Sequence, residues 1–431
     1  MEEEKVLENL VAISPVGGWG TRLYPLTCDI PKPLVPMTDS TPLTLILEHA
    51  IREGVRDFYV VPSAYDMSKY MHDYFKTGEG LSGRLGLEHP AKIHHLPRNV
   101  DKGDGDAFFR GFYYYRGQIG DKFVLFLNGD NINSIGFGSM LERKEETGAD
   151  IVLAVKKIEG DLSPFGTVAF DLESYGVSEL REKSPEPASM YIYTGIGLFS
   201  PEFFRKVDSE MQDIFHREKI GMSNDVISEF IKMGLGRVAA YDTLGKWSDV
   251  GTPTAFLETT RDILYEAYRG IDFGPHYIHI LDERGVEKEW HVHRTTYERI
   301  RDRIGKDVIL KGKGLIGADC DIGCEVTIQD SVVGHSCSLG DGSMIRTSSI
   351  SKLTRLGREI QARGTIVGVF CDIGSTVRLQ SGSVIGNNVA LPQGSTIKTD
   401  QRVALLKHKP LIQSADYQIE GEDSENIYFR K

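Results

Sequence analysis

Over its first 265 residues the chain alternates short apolar runs with stretches whose apolar residues recur at helical spacing. Residues 10–13, 58–61, 123–127 and 151–155 are apolar or β-branched runs and read as strands. Residues 43–54 read as a helix with Gly54 past its end. Residues 223–233 read as a second helix, capped by Ser223 and stopped by Gly234. Strands alternating with helices predict an α/β sheet with parallel pairing. In such sheets ligands bind beyond the carboxyl ends of the strands. Gly17-Gly18-Trp19-Gly20 and Asn128-Gly129-Asp130 both follow predicted strands, so they are expected to meet at one crevice.

The pattern changes near residue 306. Aliphatic residues, often followed by glycine, now recur every six positions: Ile316-Gly317, Ile322-Gly323 and Ile328, then Val333-Gly334, Leu339-Gly340 and Ile345, and later Ile373-Gly374, Leu379, Ile385-Gly386, Leu391 and Ile397. The steps from Ile328 to Val333 and from Ile345 to Ile350 are one residue short. The residue four places after each aliphatic is usually small or β-branched, as at Cys320, Val326, Cys337, Thr354 and Ser383. This period predicts a hexapeptide β-helix. The aliphatic side chain fills the interior, and glycine is expected at the corners. Residues 351–363 read as an interruption of the repeat. His335, two places after Val333, is expected to point outward.

The domains expected from this pattern are a catalytic α/β domain over residues 1–265, a connector over 266–305, the β-helix over 306–400 and a polar tail over 401–431. In the connector, His291 and His293 are spaced for one face of a strand, which reads as surface or domain contact.

Composition narrows the function. A net charge of −12 argues against a broad nucleic-acid footprint, although a few local cations can still hold a small anion. Five cysteines give no secreted disulfide framework, and three of the four in the repeat region occupy its small-residue slot rather than a metal site. The first five residues are acidic where a signal peptide is basic, and no apolar run reaches the length of a membrane span. A cytoplasmic enzyme is the expectation.

The most specific stretch is Gly17-Gly18-Trp19-Gly20-Thr21-Arg22-Leu23, followed by Pro31-Lys32-Pro33-Leu34. Glycines after a strand let backbone N–H groups approach phosphates. Arg22 and Lys32 add two cations suited to a triphosphate and its leaving pyrophosphate. The Walker A spacing is absent. The stretch resembles the signature of the sugar-1-phosphate nucleotidyltransferases, and the resemblance continues in order along residues 8–265. Gly103-Asp104-Gly105-Asp106 looks like the nucleobase loop, and Asn128-Gly129-Asp130 like the magnesium-holding motif. Gly166 follows Phe165 at the start of a sugar-pocket strand. Glu182-Lys183 looks like the E-K-P motif, Thr194-Gly195 like the next pocket segment, and Trp247-Ser248-Asp249-Val250-Gly251-Thr252-Pro253 like the motif that supplies a second metal aspartate.

The resemblance implies a Rossmann-like domain with a mixed, mostly parallel sheet, followed by a left-handed parallel β-helix. It implies Arg22, Lys32, Asp130, Lys183 and Asp249 as catalytic residues, with Mg²⁺ on Asp130 and Asp249. It implies nucleotide contacts from Gly17, Gly18, Gly20, Thr21, Gly103 and Gly105, and sugar contacts from Gly166, Glu182 and Thr194. The substrates are then a nucleoside triphosphate and a sugar 1-phosphate, with no nucleic acid and no membrane as partners. The family's commonest substrates and Thr194-Gly195 lean toward glucose 1-phosphate with UTP or dTTP. Mannose-1-phosphate guanylyl transfer and a non-catalytic, nucleotide-sugar-binding regulatory subunit are the alternatives. Intact Arg22, Lys32, Asp130 and Asp249 favour an enzyme. The β-helix is expected to serve homo-oligomer assembly or regulation rather than acetyl transfer.

Three departures from the family pattern stand out. Pro15-Val16 precedes the glycines, and Pro15 has no N–H to donate. Ser184 takes the place of the proline of E-K-P. The base loop carries Asp101, Asp104 and Asp106, and no glutamine lies between residues 96 and 107.

Overall fold

A computed structural model of the chain describes residues 6–18, 20–62, 65–96, 102–265, 268, 271, 273–281 and 287–431. The acidic first five residues and Asp101 lie outside these. The chain divides into two compact units: residues 1–18 with 46–247, and residues 19–45 with 248–431. Among the described residues no helix is long and apolar enough to cross a membrane.

The first unit is built on nine strands: β1 Leu10–Val16, β2 Asp57–Pro62, β3 Lys92–His95, β4 Phe123–Leu127, β5 Ile151–Lys157, β6 Gly166–Phe170, β7 Val177–Glu182, β8 Tyr191–Phe199 and β9 Val238–Asp242. Their order is β9-β5-β8-β4-β1-β2-β3, with the β6–β7 hairpin joined to β8. Pairing is parallel for β1 with β2 and β4, for β2 with β3, and for β9 with β5. On the seven-strand path only β8 runs against its neighbours, β4 and β5, and the β6–β7 hairpin is itself antiparallel. The sheet is therefore mixed and mostly parallel, as the sequence predicts. All seven residues of β1 are buried, as a strand covered on both faces requires. The helix Asp104–Tyr114 lays Phe108, Phe109 and Phe112 on this core. Gly111 permits that approach, because a Cβ there would stand 2.9 Å from Val61 and 3.0 Å from Ile13.

The helix expected over residues 223–233 is present, but its start differs. It opens as a wide π turn, Met222–Ile227, and continues as Ser228–Lys232 before Gly234 at φ 63°. Ser223 lies inside the first turn and does not cap it. Two carboxylates take the free N–H groups instead: Asp225 accepts from Gly221 at 2.8 Å, and Asp104 accepts from Met222 at 2.9 Å.

The second unit coils. Three parallel sheets, of ten, six and five strands including flanking pieces, run along it. Leu315 pairs with Val332, Val332 with Ser349 and Ser349 with Ile366, each 17 residues on; Ile366 pairs with Val384, 18 on. Two six-residue sides and one five-residue side give the shorter coil. Ile316, Ile322, Ile328, Ile345, Leu379 and Ile397 all lie inside. Cys320, Cys337 and Cys371 share that interior, where burial raises their thiols to about 11, 12 and 12.

Three expectations need correction here. Residues 351–363 do not interrupt the coil: Arg355–Leu356 and Gln361–Arg363 are strands in register with their neighbours, and Leu356 and Ala362 fill the aliphatic slot. Alanine in that slot hid the repeat. His335 is half-buried rather than free at the surface, and its Nδ1 accepts the Ala318 N–H at 2.8 Å. The glycines serve close stacking rather than unusual dihedrals. A Cβ on Gly317, Gly323 or Gly334 would lie 2.6 Å from a backbone nitrogen of the next coil. The left-handed positions belong mostly to other residues, such as Asp319, Glu325 and Leu353.

The hairpin Tyr277–Leu281 with Glu287–His293 joins the coil's first sheet through pairing of Trp290 with Gly314, and buries Trp290 completely. At the other end, residues 402–430 return as Arg402–Leu405, Gln418–Glu422 and Asn426–Arg430, antiparallel to one another where they pair.

The coil interior generates a direct test. Ile345→Ala should destabilise the second unit by about 2–5 kcal/mol, because the rigid stack cannot collapse on the void. Urea unfolding followed at Trp290 reads this out. A shift no larger than that of the surface change Arg355→Ala would contradict it.

Candidate active site

In the first unit the carboxyl ends of β1 and β4 lie side by side, at the point where strand order reverses. The chain leaves β1 into Gly17-Gly18 and leaves β4 into Asn128-Gly129-Asp130. The Gly129 N–H donates to the Pro15 carbonyl at 3.3 Å, which joins the two turns. A cavity of about 280 Å³ opens there, lined by Pro15, Gly17, Gly18, Gly103, Asn128 and Asp130, among others. The predicted crevice is therefore present. Gly18 has φ 85°, a conformation that strains any L side chain.

The loop expected to meet the nucleobase closes one wall through Gly103, Asp104 and Ala107. Gly103 and Gly105 approach the Ile220 carbonyl so closely that a Cβ would stand 2.6 and 2.9 Å from it. Two of the loop's acidic residues are engaged within the protein. Asp104 is half-buried and accepts N–H bonds from Gly105 and Met222, while desolvation holds its carboxyl above the usual range. Asp106 pairs with Arg110 at 2.6 Å.

Among the residues expected to meet the sugar, Gly166 faces Glu182 across the β6–β7 hairpin, and a Cβ on Gly166 would meet the Glu182 carboxylate at 2.5 Å. Lys183 follows at φ 46°, exposed, with its Nζ 3.5 Å from Glu182. Thr194 departs from expectation: it is fully buried and its hydroxyl donates to the Ala154 carbonyl, so its side chain is structural. Its backbone carbonyl instead accepts from Asn131 at 2.9 Å and Trp247 at 2.7 Å.

The second unit carries the cations. Gly20, at φ 59°, starts a short 3₁₀ turn, Thr21–Leu23. A Cβ on Gly20 would press on Lys32 Cβ at 3.0 Å, so glycine brings the two basic turns together. Lys32 Nζ lies 3.1 Å from Asp249 Oδ1, and Arg22 Nη2 lies 3.5 Å from Asp249 Oδ2. The side chain of Lys32 is 8% exposed and that of Arg22 52%, so Arg22 is the more accessible cation. Thr252, not Asp249, caps the following helix, accepting the Ala255 N–H.

The tail supplies residues that sequence reasoning missed. Arg402 Nη1 lies 2.9 Å from the Arg22 carbonyl, 2.6 Å from the Tyr24 carbonyl and 2.8 Å from the Tyr417 hydroxyl. The Tyr417 hydroxyl donates to the Thr21 carbonyl at 2.7 Å. Asn387 donates to the Leu26 carbonyl, and His408 contacts Asp29 at 2.9 Å. Tyr24 joins Tyr417, Ile427 and Phe429 in a small apolar cluster. Nothing in the spacing of residues 401–431 signals this role, because its partners are backbone atoms almost 400 positions away.

With this geometry, comparison with known proteins is direct. Residues 12–266 match the nucleotidyl transferase family model, and residues 304–419 match the GMPPB C-terminal domain. The chain belongs to the nucleotidyl transferase family and is an enzyme of the sugar-1-phosphate nucleotidyltransferase class. A glucose-1-phosphate adenylyltransferase of Koribacter versatilis is 25% identical over 412 residues, 89% of each chain. A mannose-1-phosphate guanylyltransferase of Mycobacterium tuberculosis is 25% identical over 78% of this chain and 82% of its own. A UTP–glucose-1-phosphate uridylyltransferase of Bacillus subtilis is 27% identical over 58% of this chain and 89% of its own. A Bacillus anthracis structure described as a glucose-1-phosphate thymidylyltransferase shares the fold, at 20% identity and a TM-score of 0.50, over 62% of this chain and 98% of its own.

The tail contacts predict a kinetic effect far from any reacting atom. Arg402→Gln should lower kcat/KM by about ten- to a hundredfold through displacement of the Arg22 turn. It should also speed amide hydrogen exchange over residues 20–28. Wild-type exchange in that segment would contradict the assignment.

Proposed function

We propose that this enzyme transfers a nucleotidyl group from a purine nucleoside triphosphate to a hexose 1-phosphate, releasing pyrophosphate. The observation that carries the reaction is the cavity at the β1 and β4 carboxyl ends, where glycine backbone and Asp130 share one wall. The purine preference rests on the adenylyl and guanylyl relatives, which match 78–89% of this chain, β-helix included. The absence of glutamine from residues 96–107 agrees with it. UTP is the second reading, supported by the uridylyltransferase relative over the catalytic segment.

The backbone of Gly17, Gly18, Gly20 and Thr21 would cradle the triphosphate, with Gly103 and Gly105 against the base. Arg22 and Lys32 would exchange their contacts with Asp249 for triphosphate oxygens, and gather the charge of the leaving pyrophosphate. Lys183 would neutralise the incoming sugar phosphate, and Glu182 would bond sugar hydroxyls, with Gly166 leaving room beside it. The attacking phosphate oxygen is already ionised, so no protein nucleophile is needed.

Asp130 and Asp249 are the proposed magnesium carboxylates. Among the described residues no group of three or more His, Cys, Asp or Glu could hold a metal. Carboxylate oxygens are the hard donors that Mg²⁺ takes, and it completes its shell with phosphates and water. When bound, the ion would offset repulsion between the two phosphate groups and align them.

A matrix of ATP, GTP, UTP and dTTP against glucose and mannose 1-phosphates, read by pyrophosphate release, tests this. A purine pair should turn over fastest, and Asp130→Asn should lower kcat by about 10²–10³-fold. Fastest turnover with UTP or dTTP would overturn the purine assignment. Unchanged turnover in Asp130→Asn would overturn the metal assignment.

A further inference from the structure

One face of the coil has a charge pattern that the catalytic reaction does not use. Six strands form its flat second sheet: Val308–Lys311, Val326–Gln329, Met344–Arg346, Gln361–Arg363, Arg378–Leu379 and Thr396–Ile397. Leu310, Ile328, Ile345, Ala362, Leu379 and Ile397 point inward and are buried. The residues flanking them face outward. The register sets Lys311 beside Gln329, Gln329 beside Arg346, and Arg346 beside Arg363, while Gln361 stands beside Arg378. No Asp or Glu occupies an outward strand position on this sheet.

The chain as a whole is acidic, with 62 carboxylates against 50 Lys and Arg. A basic face therefore runs against its overall balance. The neighbouring five-stranded sheet shows the ordinary solution: Arg355 stands in register with Asp372 and pairs with it at 3.5 Å. Arg358 likewise pairs with Asp341. Among the described residues Arg346, Arg363 and Arg378 have no ion-pair partner, and Arg346 Nε is shielded from solvent without a hydrogen bond.

Strands in such a sheet lie about 4.8 Å apart, so Arg346 and Arg363 hold two like charges side by side, which is unfavourable in the free protein. These arginines line a groove of about 570 Å³ with Gln361, Gln380 and Thr399. Planar guanidinium forks beside amide and hydroxyl donors match phosphate oxygens in shape and charge. We propose that this face binds a small anion carrying at least two phosphate charges, at a site that shares no residue with the glycine-turn cavity. The ligand would supply the negative charge that the sequence withholds.

Calorimetric titration of the full-length protein with inorganic pyrophosphate, and separately with inorganic phosphate, tests the assignment. Wild type should show a pyrophosphate site that weakens at least tenfold in Arg346→Gln/Arg363→Gln and stays unchanged in Arg355→Gln. Pyrophosphate bound at the active site would persist in both variants, so loss of the nucleotidyl-transfer reading leaves this result distinct. Without anion, the double variant should melt no lower than wild type, since it loses a like-charge pair. Pyrophosphate should raise the melting temperature of wild type more than that of the double variant. Wild-type binding in the double variant, equal weakening in Arg355→Gln, or equal affinity for phosphate and pyrophosphate would each overturn the proposal.

Discussion

The Arg22 turn of the second unit depends on a half-buried guanidinium that satisfies backbone carbonyls. The turn carrying Arg22 has only a three-residue 3₁₀ piece: the Gly20, Thr21 and Leu23 carbonyls accept local N–H groups, whereas those of Arg22 and Tyr24 are met by Arg402. Arg402 and the Tyr417 hydroxyl meet the carbonyls of Thr21, Arg22 and Tyr24. Burial pushes the Arg402 pKa down, yet a guanidinium stays charged at any physiological pH. A permanent charge on a fixed stem is a suitable anchor for the turn that carries Arg22.

The same economy of charge shapes the chemistry. Lys32 and Arg22 both rest on Asp249, so two cations stay oriented without repelling each other. Asp104 and Asp106 follow the opposite logic. Their charges are taken up by helix N–H groups and by Arg110, which leaves this wall of the crevice less acidic than its sequence suggests.

How much was legible in the sequence follows from the range of each interaction. Strand runs, the six-residue period and the glycine turns are local patterns, and the sheet, the coil and the β1–β4 crevice follow from them. The Ser223 cap failed because Asp104, distant in sequence, reaches the same N–H groups. Thr194 was misread because a motif position does not say which way a side chain points. The interruption over residues 351–363 vanished once Ala362 was seen to fill an aliphatic slot. Arg402 and Tyr417 left no signal at all, since a side chain that binds backbone carbonyls imposes no residue type on its partners.

The central claim is that the returning tail holds the Arg22 turn in its working shape. The most direct measurement is pyrophosphate release by a chain ending at Asp400, compared with the full chain at saturating substrates. The account predicts a loss of at least about a hundredfold in turnover, with the absorbance signature of the β1 sheet and its protection from exchange retained. Turnover equal to that of the full chain would contradict it.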